Sequence, residues 1–229
     1  MIKKLLVLFA VLLLPMAFSV PANATVSAGT SERYPEATTP GTVTAQAGNV
    51  TQVNVSSVQV TGKWVGFWGE VSGQIVLGDS SGNIFYQWTI SDPTGAVVYV
   101  CNDTVSDWST LQPLYANSSV LPDFLITGTD SFNNTFKYQE TFTSPSMTIN
   151  NVNYTLTWQN GAEGSDFKTY ALYANESATT GKIILVWAGL VNANKPSFKG
   201  GTITADYQVL AGVNTEGGQQ TFYFYLELP

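Results

Sequence analysis

The chain has no histidine, one cysteine, and only 9 lysines and arginines in 229 residues. Without histidine there is no Ser-His-Asp or Cys-His catalysis, no imidazole metal site and no histidine general base. A single cysteine, Cys101, excludes an intrachain disulfide, so stability must come from a packed core. It follows Val100 at a strand end and reads as a small buried hydrophobe, not a reactive thiol. Charged residues make up only 11 % of the chain, and acids outnumber bases 16 to 9. Such a chain repels phosphate backbones, so nucleic acid is not an expected partner. No glycine-rich loop links a strand to a helix; Gly200-Gly201 and Gly217-Gly218 sit in turn contexts. No cofactor is expected. Beyond residue 20 no apolar run is long enough to span a bilayer, so the mature chain is expected to lack a membrane span.

The N-terminus carries the clearest address. Met1-Ile2-Lys3-Lys4 is a short cationic head, Leu5 to Val20 is almost wholly apolar, and Ala22-Asn23-Ala24 supplies small residues for a peptidase. Residues 1–24 therefore read as a secretory signal peptide cleaved after Ala24. Pro15 and the shortness of the run argue against an uncleaved anchor, and no cysteine follows to take a lipid. Cleavage removes Lys3 and Lys4 and lowers the formal net charge from −7 to −9. About 205 residues remain, enough for one large β-sandwich. The expected location is the extracellular cell surface.

Residues 25–50, rich in Thr, Ala, Gly, Ser and Pro, read as a flexible N-terminal segment, and residues 51–229 as a single sandwich domain. From Trp64 to Val100, turn signals at Asp79–Asn83 and Ser91–Gly95 divide an aromatic, β-branched stretch into three runs of strand length. These predict a three-stranded meander forming the structural nucleus. Residues 105–125 lose the two-residue alternation and read as a long crossover loop with short helical turns. Alternation resumes around Phe136–Phe142, Val152–Trp158, Ile203–Val209 and Phe222–Leu228. Ile183 to Val191 is apolar on both faces, as a central strand should be. The fold class is all-β: an antiparallel β-sandwich of about ten strands.

Chemistry is scarce. Asp79 and Asp92 occupy turns, Asp103 and Asp107 flank a loop, and Glu163 and Asp166 lie in a Gly-rich turn, where acids usually bond their own backbone. Glu140, between Tyr138 and Phe142, is the one acid in an apolar run, which gives little support to a glycosidase. No Asp-x-Asp-x-Asp-Gly loop marks a calcium site. Trp64 and Trp68, separated by Gly66, fall on the face opposite Val65 and Phe67 and form a candidate ligand platform for sugar rings. The alternative is that another segment covers them. Val53, Val55, Val58 and Val60 lie in a β-prone stretch that can be lent to a neighbour's sheet. Asn-x-Ser/Thr occurs at Asn49, Asn54, Asn102, Asn117, Asn133, Asn153 and Asn175. That is more than the roughly three expected by chance, and suggests a glycosylated surface. Without disulfides, such a surface points to an archaeal cell exterior.

The pattern Gly-x-Val-x-Gly-x-Ile-x-Leu-x-Asp-x-x-Gly-Asn-x-x-Tyr-x-Trp runs from Gly69 to Trp88. With Asp130–Phe136 and the closing Asp206–Leu228 stretch, it resembles a group of uncharacterised secreted archaeal β-sandwich proteins, over most of residues 60–228. That likeness implies an extracellular sandwich and carries no catalytic residues. In layout alone, the chain is similar to archaeal extracellular filament subunits of the camelysin-like or thread type. There an N-terminal strand completes the next subunit's sheet. The resulting expectation is a non-enzymatic structural or adhesive surface protein whose partners are copies of itself, other surface proteins or glycans. The alternative is a carbohydrate-binding module using Trp64 and Trp68.

Overall fold

The computed structural model describes residues 21–35, 39–115, 119–142, 155–159 and 166–229. Strand β1 (Ala22–Asn23) is followed by β2 (Trp64–Gly69), β3 (Gln74–Gly78), β4 (Ile84–Thr89) and β5 (Val97–Cys101). The crossover carries a 3-10 turn at Trp108–Thr110, β6 (Leu111–Pro113) and two one-turn helices, α1 (Asp123–Ile126) and α2 (Phe132–Thr135). Then come β7 (Tyr138–Glu140), β8 (Thr155–Gln159), β9 (Lys168–Glu176), β10 (Lys182–Leu190), β11 (Lys195–Pro196), β12 (Thr204–Ala205), β13 (Tyr207–Gly212) and β14 (Tyr223–Glu227). The fold is all-β, and its pairings are antiparallel.

The main sheet runs β1-β14-β5-β10-β9-β8-β7, with β6 also on β9. β10 lies at its centre because its residues are apolar on both faces. Leu185 and Trp187 join Val98, Val100 and Ala171 on one face, while Ile184, Val186 and Ala188 join Tyr99, Cys101 and Leu172 on the other. The first face packs beneath β13 and the crossover helices through Val209, Ala211, Leu125, Phe132 and Phe136. Trp187 is fully buried there, with its ring centroid 5.4 Å from Phe136 and 5.7 Å from Trp64. The second face is covered by the loop bearing Val105, Trp108 and Leu111, and by Phe142. Cys101 is buried here, and burial pushes its thiol pKa well above the ordinary range. It is the packing residue its setting predicts.

β14 keeps its predicted alternation, with Phe222, Phe224 and Leu226 against the first core and Tyr225 in the second. The 202–209 run does not stay whole. The Asp206 carboxylate turns inward to accept from the Val71 and Asn194 amides, each at 2.9 Å, and splits it into β12 and β13.

The Trp64–Val100 meander is corrected. Among the described residues, β2 pairs with β13, β3 and β4 pair only with each other, and β5 joins the main sheet between β14 and β10. Local turns favour neighbouring strands, but the core is closed by pairings more than a hundred residues apart in sequence. Residues 1–20 of the expected leader lie outside the described residues. Of its end, Ala22 and Asn23 pair with Leu226 and Tyr225 on the outer edge of β14.

Candidate functional site

The Trp64–Gly66–Trp68 platform does not form. Trp64 sits at the start of β2, where Lys63 fastens the crossover to the sheet. Lys63 Nζ lies 2.8 Å from Asp130 Oδ1 and donates to the Thr127 carbonyl at 2.6 Å. Hydrogen bonds from Lys63 and then Thr61 hold the Asp130 carboxyl below its usual range. This brings Asp130 O within 2.7 Å of the Trp64 indole nitrogen, which donates to it, and sets Phe132 and Phe136 beside the ring at a tilt. Trp64 is therefore partly buried against the core. Trp68 is 39 % exposed and meets Phe198 edge-on at 5.5 Å, so the two indoles share no surface. Parity placed both on one face, but the crossover returns over only one end of it.

What β2 presents instead is an edge. The Val213 amide donates to the Lys63 carbonyl, and the register pairs Val65 with Ala211 and Phe67 with Val209. The odd residues therefore turn their backbone groups toward β13, and Trp64, Gly66 and Trp68 turn theirs outward. β2 pairs with β13 alone, so this outer row has no strand beside it among the described residues. Next to it lies a groove of about 570 Å³, lined by Ser31, Val65, Phe67, Gln220, Thr221 and Phe222 among others. Its floor is apolar: Phe67 contacts Phe222 at 5.2 Å and Phe224 at 5.1 Å. The Gln220 side-chain oxygen accepts from the Asn214 amide, while its buried Nε2 has no partner among the described residues. The composition of this groove, apolar below with unpaired backbone and amide donors at its rim, suits an extended peptide. Nothing in the sequence pointed to it, because it depends on which strand lies beside β2.

Residues 51–59 have no secondary structure and are exposed; Val55 is 89 % exposed, while Val60 is partly buried. Val53 and Val55 have one parity and Val58 and Val60 the other, so a regular strand directs the two pairs to opposite faces.

Among the described acids, Asp79, Asp92 and Glu140 make structural contacts, while Glu163 lies outside the described residues. Asp79 accepts from the Ser81 and Asn83 amides and Asp92 from Thr94, as turn residues do. Glu140 is paired with Lys168 at 2.9 Å and accepts from Tyr170 OH at 2.8 Å. No group of three or more Cys, Asp and Glu suited to a metal occurs among the described residues. Of the glycosylation candidates, Asn49, Asn54 and Asn133 are exposed. The Asn175 side-chain oxygen accepts from the Ser177 hydroxyl, and the Asn102 amide is engaged with Asn214 and Leu185. Asn117 and Asn153 lie outside the described residues. No protein family, curated protein or solved structure matches the chain.

Proposed function

We propose that this protein is an exported, glycosylated, non-enzymatic surface subunit that assembles by strand addition. Residues 51–60 of one copy lie along the outer edge of β2 in another. The observation that carries this reading is the pairing of a vacancy with its filler. The outward backbone groups of Trp64, Gly66 and Trp68 border a groove with an apolar floor, and the same chain carries an uncharged, valine-rich segment without a sheet. Added strands gain affinity from main-chain hydrogen bonds and specificity from alternate side chains. An edge left bare is a standing template for association, which a chain normally blunts with charge or proline. β2 has neither. The secretory leader read from residues 1–24 fits an assembly outside the cell. Its removal after Ala24 would also take β1 and bare the edge of β14.

Deleting residues 51–60 from the processed protein should abolish polymers, seen by sedimentation and electron microscopy, and leave a folded monomer with unchanged circular dichroism. Polymers that persist at wild-type length would refute strand addition by this segment. Glycan binding at a Trp64–Trp68 platform is not carried forward, since Trp64 is packed against Phe136 and Trp187.

A further inference from the structure

The segment that precedes the sandwich crosses its open side. β1 lies on the outer edge of β14, and the Ala24 amide extends that pairing by donating to the Phe224 carbonyl at 3.1 Å. Because β1 is antiparallel to β14, the chain leaves Ala24 in the direction of Phe222. Ser31 then lines the groove beside Val65, Gly66 and Phe67. The next residue, Glu32, is ion-paired with Lys199. Lys199 Nζ lies 5.4 Å from the centre of the Phe198 ring, and Phe198 meets Trp68 of β2 edge-on. Residues 24–32 therefore form a strap, fastened at one end to β14 and at the other beside β2.

The strap is held lightly. Residues 25–35 have no helix or strand and are exposed. The Glu32 side chain is 63 % exposed, and an ion pair so open to water is weak and screened by salt. Cleavage after Ala24, the position read from the leader, removes the first fastening and leaves Glu32–Lys199 as that of the processed chain. Segments with so little buried surface are the first to open. The strap also stands where it matters. A strand added to β2 needs a place about 4.8 Å from it, and Ser31 stands at the groove beside Gly66, whose outward backbone groups that strand must reach.

We infer that residues 25–32 are an autoinhibitory strap over the β2 groove, latched by Glu32 and Lys199, which swings away before residues 51–60 of a second copy enter. This rests on the strand-addition reading and adds its regulation. While the latch is closed the acceptor is not competent, so the apparent affinity for the incoming strand is reduced to the competent fraction. Breaking the latch raises that fraction and leaves β2, the groove lining and residues 51–60 unaltered.

The critical concentration for assembly of the processed chain, measured by sedimentation, tests this. Glu32→Lys and Lys199→Glu should each lower it about two- to fivefold, the range an exposed ion pair supplies. The two variants change the net charge of this acidic chain in opposite senses, so self-repulsion alone would move them in opposite directions. Combining Glu32→Lys with Lys199→Glu restores the pair with its charges exchanged and should return the wild-type value. Opposite shifts in the two single variants, or no shift in either, overturn the latch. A rise in both would show that the strap clasps the added strand instead of excluding it, and overturns the latch as well. In each of these cases, loss of polymers on deleting residues 51–60 leaves strand addition standing. Polymers indifferent to that deletion, or a wild type and variants that never polymerise, refute both.

Discussion

Replacing Glu176 with alanine is expected to destabilise the protein by about 3 kcal/mol at neutral pH. The carboxylate, at the end of β9, is 1 % exposed. It accepts from the Ser106 amide at 2.7 Å, the Ser106 hydroxyl at 2.6 Å and the Asp107 amide at 2.8 Å. The Thr180 hydroxyl adds a longer contact at 3.3 Å. These bonds hold the loop that lays Trp108 over Tyr99 and Tyr225. Without the carboxylate, backbone donors lose their acceptor and the cover of the second core face loosens. The urea midpoint should fall by about 1–2 M; a midpoint within a few tenths molar of wild type would contradict this role.

The same group fixes a sign for pH. Burial pushes the Glu176 carboxyl up, but the Ser106 hydroxyl and the Asp107 and Ser106 amides outweigh it, and its pKa falls below the usual range. A carboxyl depressed on folding stabilises the native state above its unfolded pKa, and that stability is lost as pH falls through the folded value. Wild-type stability should therefore drop on acidification below about pH 4.5. Glu176→Gln should be less stable at neutrality and show a shallower acid slope. Asp103 and Asp130 are lowered too, through Lys182 and Lys63 first, so part of the slope should remain.

Gly189→Ala should cost about 2–3 kcal/mol, although its backbone needs no positive φ. The reason is distance. A Cβ on Gly189, in the middle of the main sheet, would lie 2.1 Å from Cγ2 of Val209 on β13. Val209 is buried, and its β-branched side chain has little room to rotate. Gly189 is what lets β13 approach the main sheet closely. Val209→Ala alone removes buried methyls and should cost about 2 kcal/mol. The double variant should be no less stable than Val209→Ala alone, giving a favourable coupling of at least about 1 kcal/mol in denaturant titrations. Additive losses would place the cost elsewhere.

Some of this is legible in the chain. Ile183–Val191, apolar on both faces, names its own position at the centre of a sheet, and β14 shows its core face by simple alternation. The loss of alternation after Val105 marks a real crossover with short helical turns. Pairing over distance is not legible. β2 finds β13 some 140 residues later, so neither its free edge nor its groove can be read locally. Trp64 and Trp68 share a parity, yet the crossover through Asp130 and Phe136 partly covers one and leaves the other. Ile75 and Leu77 alternate like core residues, but no other described part of the chain covers them.

Amide hydrogen exchange along β2, compared between monomer and assembly, is the most direct test. In the monomer the amides of Gly66 and Trp68 should exchange quickly and those of Val65 and Phe67 slowly, because only the odd residues face β13. In assembled protein Gly66 and Trp68 should become protected, and in protein lacking residues 51–60 they should not. An assembly in which the Gly66 and Trp68 amides still exchange as in the monomer would show that no strand is added to β2.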